Sequence, residues 1–598
     1  MHRQGSFVAA ALAALTLAAS ALAQEAPPQG DANPIWERCA RDAGSEARRS
    51  RIEACTAILT SGDEDRRVDA LVHRANAYDD EGNADAALVD YEEALRLDPQ
   101  SGFALYNRGI YYRRRGDNDR AMADYDAVLA LDAESENVYY SRGLIHTDLN
   151  NWDRAYADFS EAIRYDVRFA DAYDARGLIS YYRADYQAAL IDHRKAVSIR
   201  PRVASFLVNR GNAYYMLERY DEALADYDAA VRLNGRDAVA LRNRGLVHLR
   251  RNDAARALAE FDAAIAADPE YVEAYVSRAN TLDDNGQFER ALLDYAAALG
   301  LDPARADAYF HRGLAYANQN KWTEALADYD QVAQLEPQHA RVYFNRGIAR
   351  YELRQYRLAL HDFERVLAAN SDDASALLER GNAYFMLEDY ARAMADYDAV
   401  VSRNGNSFVA LRNRGLVHER QGDLARAIAE FSLSLRANNR YAAAYYSRGE
   451  AYFALADYSA ALRDFDAAVE IQPDTAYMRQ RACWVRAAYV SRELERAAAD
   501  CEAAVRLEPN ATNNHDAQGM VRLKQGRFRE AWEAYDAALR LTPDSAHALF
   551  GRGVAALRSG RSSDGRTDMR RALAIDPAIG QTYLNYGVRA PGVGPQDT

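Results

Sequence analysis

The octapeptide LRNRGLVH stands at Leu241–His248 and again, unchanged, at Leu411–His418. The interval is 170 residues, five times 34, and a period of 34 runs through most of the chain. Its Arg-Gly pair recurs from Arg108-Gly109 to Arg448-Gly449, with Ala75 and Ala279 filling the Gly column in two of twelve regular units. Twelve residues after that column stands Ala, from Ala87 to Ala461. Four further on stands an aromatic ring such as Tyr91, Tyr125, Phe159 or Phe465, with His193 as the exception. Pro often closes the unit, as at Pro99, Pro201, Pro269, Pro303, Pro337 and Pro473.

These spacings predict two helices per unit. Tyr309, Gly313 and Tyr316 share one face of a first helix; Ala325, Tyr329 and Val332 share one face of a second. Gly and Ala are small where the two helices approach, and turns such as Gly116-Asp117 separate them. One such hairpin cannot bury its own apolar face, so the units must stack. Stacking also accounts for the 40 Tyr residues, as interior rings whose hydroxyls reach the surface or a polar neighbour.

The columns resemble the tetratricopeptide repeat, whose W-x2-L-G-x2-Y, A-x3-F and P pattern has this period. Tyr or Leu takes the place of the Trp, and Arg that of the Leu, in all twelve regular units. The resemblance implies an all-α fold, a right-handed α-solenoid of about sixteen stacked helix hairpins. The expected organisation is a signal peptide over residues 1–23, a flexible lead-in over 24–34 and a degenerate repeat over 35–67. Twelve regular units over 68–475 and three more over 476–577 follow, then a capping helix (Ile579–Val588) and tail within 578–598.

Composition narrows the function classes. A chain of 598 residues, 49% hydrophobic and 27% charged, is neither disordered nor membrane-filling. Its formal charge of −15 lacks the basic excess expected of a nucleic-acid binder. His2 and Arg3, the apolar run Phe7–Ser20 and the A-x-A site Ala21-Leu22-Ala23 read as an export signal cleaved before Gln24. The mature protein is therefore expected in the periplasm or outside the cell, with no transmembrane segment. No H-E-x-x-H, G-x-S-x-G or phosphate loop occurs, so no enzyme activity and no cofactor are expected.

Within the repeat, Arg in the column before Gly is followed sixteen residues later by an acid in all twelve regular units, from Arg74 and Asp90 to Arg448 and Asp464. In the unit at Gly519 both are lost together, to Gln518 and Ala534, and in the next both return as Arg552 and Asp568. This joint behaviour points to a structural pair inside one unit, suited to planar guanidinium geometry. His146, His248 and His418 replace Tyr in an interior column and read as core. Cys39 and Cys55 fall in the Gly and aromatic columns of the degenerate unit; Cys483 and Cys501 do so once a two-residue insertion in the turn is allowed. Two intra-hairpin disulfides, Cys39–Cys55 and Cys483–Cys501, are expected, stapling irregular units towards the ends. No Cys/His cluster has metal-ligand spacing.

The resemblance also implies a concave groove, lined by the first helices, that holds proteins or peptides. Asn follows the Gly column at Asn76, Asn212, Asn280 and Asn382, and Asn107, Asn243 and Asn413 stand two before the next Gly column. This pairing is similar to part of the family's carboxylate clamp. The clamp's lysines are missing: Val72, Val208 and Leu378 replace one, Asn137, Glu273 and Ala443 the other. Arg242 and Arg412 supply charge from another column. The candidate groove residues are thus Asn76, Asn107, Asn212, Arg242, Asn243, Asn382, Arg412 and Asn413, with aromatic anchors such as Tyr106, Tyr140, Tyr181, Tyr215, Phe310, Phe344, Tyr351 and Phe385. Block duplication alone also explains the octapeptide, since Trp152 recurs as Trp322 and GNAYYMLERY (211–220) as GNAYFMLEDY (381–390). A scaffold for protein or peptide ligands in the cell envelope is the expected function; a structural spacer and a carbohydrate-binding solenoid are the alternatives.

The cysteine pairing is directly testable. Thiol titration of unreduced, denatured protein from its native compartment should find no free thiol, and all 4 cysteines should react after reduction. Free thiols before reduction would contradict the pairing.

Overall fold

Period 34 is realised as a helix of 13 or 14 residues, a tight turn, a second helix of 14 and a Pro- or Asp-containing link. The computed structural model describes residues 34–41, 48–491 and 493–591. The expected signal peptide, residues 24–33 of the lead-in and the tail 592–598 lie outside the described residues. The described residues form 33 α-helices and no strand. They pair into sixteen hairpins, numbered here in chain order with helices A and B, from Pro34–Ala40 with Arg48–Ser61 to Ala546–Arg558 with Ser562–Ile575. Helix Ile579–Asn585 follows them, ending three residues short of the expected Val588.

The A–B turn repeats as faithfully as the helices. Gly116 has φ 75°, and its N–H reaches Arg113 O at 2.9 Å while the Asp117 N–H reaches Tyr112 O at 3.0 Å. This left-handed stop satisfies the last carbonyls of helix A. Asp117 then caps helix B, its carboxylate accepting from the Arg120 N–H at 3.2 Å. The same left-handed position recurs every 34 residues and is held by Asn150, Ala184, Glu218 and Asn252 as well as by Gly. At the B–A link, Asp268 accepts from the Glu270 N–H at 3.0 Å, folding the chain around Pro269.

Two contacts lock helix A to helix B. In the first, the Gly column receives the edge of the aromatic ring sixteen residues on. A Cβ added at Gly211 would lie 2.7 Å from Tyr227 Cε1, and one at Gly415 would meet Phe431 more closely still. In the second, Arg210 Nε and Nη2 donate in parallel to Asp226 at 2.8 and 2.6 Å. The same fork joins Arg74 to Asp90, Arg108 to Asp124, Arg380 to Asp396 and Arg448 to Asp464. The pair lies within one hairpin, as its joint loss and return implied. Many of these arginines also reach back to the preceding helix B: Arg142 to Asp126 at 2.7 Å, Arg278 to Asp262 at 2.6 Å, Arg448 to Ser432 at 3.0 Å.

The chain divides into two compact bodies, Met1–Ala315 and Tyr316–Thr598. Inside each body, cores run from hairpin to hairpin. In the first, Tyr91, Tyr111 and Tyr125 share one cluster, and Phe206, Tyr214 and Tyr227 another. In the second, the largest cluster gathers Cys483, Cys501, Tyr535, Phe550 and Tyr583. His146 and His248 are buried, and His418 is half-buried.

The Gly column yields a direct test. Gly211→Ala should cost about 1–3 kcal/mol, because the added methyl must displace a fully buried ring. Gly300, a helical glycine with nothing within 4 Å of an added Cβ, is the control; its Ala variant should be no less stable than the parent. Urea unfolding of both variants checks this, and equal stability of the two would contradict the packing.

Candidate functional site

Helix A carries columns that this lock does not use, and there the hairpins differ. Three residues before the Gly column the chain has Val72, Tyr106, Asp174, Val208, Arg242 and Arg412, among others. Hairpins 6–8 of the first body bring three sequence-selected residues together. Asn212 Oδ1 accepts from Asn243 Nδ2 at 2.9 Å and from the Tyr227 hydroxyl at 2.8 Å. Burial pushes the Tyr227 hydroxyl well up in pKa, so it stays protonated and donates. Arg242 Nη1 donates to Asn243 Oδ1 at 3.3 Å, and its Nε to Ser277 Oγ at 3.0 Å.

Hairpins 11–13 of the second body repeat the arrangement. Asn382 Oδ1 accepts from Asn413 Nδ2 and from the Tyr397 hydroxyl, both at 2.9 Å, and Arg412 Nε donates to Ser447 Oγ at 3.1 Å. The copies are not identical in environment. Asn212, Arg242 and Asn243 are buried, whereas Asn382 and Arg412 are half-buried. Asn382 Nδ2 also donates to Glu379 Oε2 at 3.1 Å. Burial raises the Glu379 carboxyl pKa, and this hydrogen bond pulls it partly back. Each copy is flanked by rings packed edge to face: Tyr181 on Tyr186 and Tyr215 on Tyr220 in one, Tyr351 on Tyr356 and Phe385 on Tyr390 in the other. Arg250 Nε donates to the Tyr220 hydroxyl at 2.9 Å, and Arg420 lies 5.6 Å from the centre of the Phe385 ring.

Asn76 and Asn107 also meet, Asn76 Nδ2 donating to Asn107 Oδ1 at 3.0 Å while Tyr91 donates to Asn76. Asn280 accepts from Tyr295 at 2.6 Å. Every one of these asparagines therefore serves a helix-B tyrosine, a neighbouring asparagine, or both. Of the aromatic candidates, Tyr140 and Phe310 are buried, while Tyr106, Tyr181, Tyr215, Phe344, Tyr351 and Phe385 remain half-buried.

Sequence reasoning missed several of these partners. Ser277 and Ser447 stand 35 residues after their arginines, and that second 170-residue coincidence was available in the sequence. In hairpin 5 the aromatic exception His193 pairs through Nδ1 with Asp174 Oδ1 at 2.8 Å, and Asn209 Nδ2 donates to Asp174 Oδ2 at 3.0 Å.

The structure joins Cys39 to Cys55 and Cys483 to Cys501, with Cα atoms 4.8 and 5.6 Å apart. The two extra residues of hairpin 14 form a π-helical turn, Arg486–Val490, followed by left-handed Ser491 and Glu493. Here Ala482 stands in the arginine column, and Arg486, one helical turn later, takes the role. It is fully buried and donates to Asp500 at 3.0 Å and to Asp466 on the preceding helix B. Among the described residues no group of three or more His, Cys, Asp or Glu is placed to hold a metal ion. No described helix is long and apolar enough to cross a membrane.

With this geometry in view, the family assignment follows from sequence comparison. One tetratricopeptide repeat family model matches residues 73–136, 183–238, 208–272, 276–340, 395–439 and 517–578, more than half of the chain. The chain belongs to the tetratricopeptide repeat family. Further models of the same repeat match 313–380, 375–407 and 442–475. Solved structures similar to the chain include a tetratricopeptide repeat protein from Parabacteroides merdae, at 20% identity over 41% of this chain and 97% of that one, TM-score 0.37. PilF of Pseudomonas aeruginosa is 21% identical over 34% and 93%, TM-score 0.32. YrrB, described as having an unusual peptide-binding site, is 24% identical over 34% and 97%, TM-score 0.25. No curated protein matches the chain in sequence.

Proposed function

We propose that this chain is a protein-interaction scaffold of the cell envelope that binds protein or peptide ligands along its helix-A faces, with the Arg242 and Arg412 patches as paired anion-reading sites. The carrying observation is selective repetition. Arg, Asn, Asn and Ser recur with the same hydrogen bonds in hairpins 6–8 and 11–13, where the hairpin fold itself does not require them. Other hairpins place Val, Tyr, Asp or Phe in the column of Arg242, three before the Gly column, and fold alike.

The chemistry suits an acidic peptide. Guanidinium groups offer a forked donor set at fixed charge, and asparagine amides read carboxylates or peptide backbone. Asn243, itself held by Asn212, accepts from the Arg242 guanidinium, so its orientation is set before a ligand arrives. Half-buried rings beside each patch provide apolar contact area. Two like patches in one chain favour a ligand with two acidic segments, through avidity rather than one tight contact.

Export to an oxidising compartment belongs to the same reading. It is supported by the sequence pattern before Gln24 and by two disulfides in a chain with no other cysteine. No catalytic or cofactor role is part of the proposal.

The test uses an oligoglutamate peptide and Arg242→Met and Arg412→Met, which keep much of the packed stem. Fluorescence anisotropy should show about tenfold weaker binding for each single variant and a larger loss for the double, with unchanged thermal unfolding. Unchanged affinity in the double variant would leave duplication as the whole reason for the repeated octapeptide.

A further inference from the structure

The last three hairpins carry, on the corresponding columns, a ligand-like segment of the chain itself. Helix Ile579–Asn585 ends in a left-handed glycine stop at Gly587 (φ 73°), with the Val588 N–H on Tyr583 O at 2.9 Å. This stop fixes Tyr583 and Tyr586 three residues apart on one short element. Tyr583 is fully buried and Tyr586 nearly so.

Their contacts come from helix A of hairpins 14 and 16 and from the π turn. Tyr586 packs on Trp484 at 5.4 Å, on Tyr489 at 5.4 Å and on His547 at 5.9 Å between ring centres. Tyr583 packs on His547 at 4.8 Å, and its hydroxyl donates to His547 O at 2.8 Å. His547 Nδ1 is held by Asp516 of hairpin 15 at 2.8 Å. By repeat position, Trp484 stands in the column of Asn212, and Asp516 in the column of Arg242. The segment thus reaches residues three hairpins deep instead of only covering the last one.

The hydroxyl chemistry makes the substitution explicit. In hairpins 6 and 11 the helix-B tyrosine is satisfied by Asn212 or Asn382. In hairpin 15 the residue in that column is Met520, and the Tyr535 hydroxyl instead lies 3.3 Å from the Tyr583 hydroxyl. Gly551, in the column of Asn243, clears the space: a Cβ there would stand 2.5 Å from the Tyr583 oxygen. A phenol supplied by the C-terminal segment is the hydrogen-bond partner of the helix-B tyrosine where an amide on helix A is elsewhere, here as the donor.

We propose that the helix-A face of hairpins 14–16 is a peptide-binding site, that residues 579–590 are its resident ligand, and that the site takes a partner chain carrying two tyrosines in Tyr-x-x-Tyr spacing by displacement of that ligand. The occupant defines the recognition. One ring fills the space between Trp484, Tyr489 and His547; the other places its hydroxyl between His547 O and Tyr535. This site is independent of the Arg242 and Arg412 patches, and its test reads different hairpins.

The experiment uses the full chain and a fluorescein-labelled peptide of residues 578–591, AIGQTYLNYGVRAP. The variant Tyr583→Ala/Tyr586→Ala releases the resident segment. It should bind the peptide at least about tenfold more tightly than the parent does, and a peptide with both tyrosines replaced by Ala should not bind. Equal binding to parent and variant, or no binding to a folded variant, overturns the proposal. Hydrogen exchange on the parent protein decides the case in which the variant fails to fold. A resident ligand opens on its own, so residues 579–590 should exchange faster than Ala546–Arg558. Exchange at the same rate as that helix makes the segment a structural cap and overturns the proposal.

Discussion

The arginine–carboxylate pair inside most hairpins, bidentate in the majority and lost from hairpin 15, is the constraint on which the rest of the structure depends. Helix A and helix B meet along small residues, Gly against an aromatic edge, so the contact is close but offers little to fix their rotation. A planar guanidinium on a planar carboxylate supplies that orientation. The carboxylates are largely buried, Asp362 completely so, and each would be costly to leave alone in the apolar layer. Where the arginine reaches the preceding helix B as well, one side chain orients both a hairpin and its stacking neighbour.

Hairpin 14 shows how strictly the constraint is kept. The arginine column there holds Ala482, yet Asp500 persists and is served by Arg486 and Arg479. The π turn brings Arg486 to its partner while the disulfide joins the Gly and aromatic columns. An insertion that broke the register of the pair was absorbed by moving the arginine one turn along helix A. With orientation fixed this way, columns such as those of Asn212 and Arg242 are released from packing duties. The Asn–Asn–Arg patches and Asp174, the partner of His193, occupy them, and the C-terminal tyrosines lie against them.

The sequence showed the fold plainly because every fold-determining contact is periodic. Gly to aromatic and Arg to acid both sit at a separation of sixteen, a spacing visible in any pair of units. The asparagines are visible as a pattern, and each of Asn76, Asn212, Asn280 and Asn382 is followed fifteen residues later by the Tyr it serves, but Tyr125 and Tyr329 fill the same column with no Asn, so the spacing alone does not assign the bond. The two-residue insertion before Cys501 was legible, whereas its π-helical form depends on tertiary packing around Arg486. The C-terminal segment has the sequence position of a cap; that Tyr583 meets Tyr535 depends on where the segment lies against hairpins 14–16, which no periodic column specifies.

The interaction energy of Arg210 and Asp226, obtained from a double-mutant cycle with Arg210→Met and Asp226→Leu, tests the central claim most directly. Both side chains lie in hairpin 6, away from either end of the chain. If the pair locks helix A to helix B, each single change should destabilise strongly, by about 3–5 kcal/mol, because it strands the other charge. The double change should be far less damaging than the two singles summed, giving a coupling of at least about 2 kcal/mol. A coupling near zero would mean that the ladder is a by-product of packing and that the Gly–aromatic contact alone orients the hairpin.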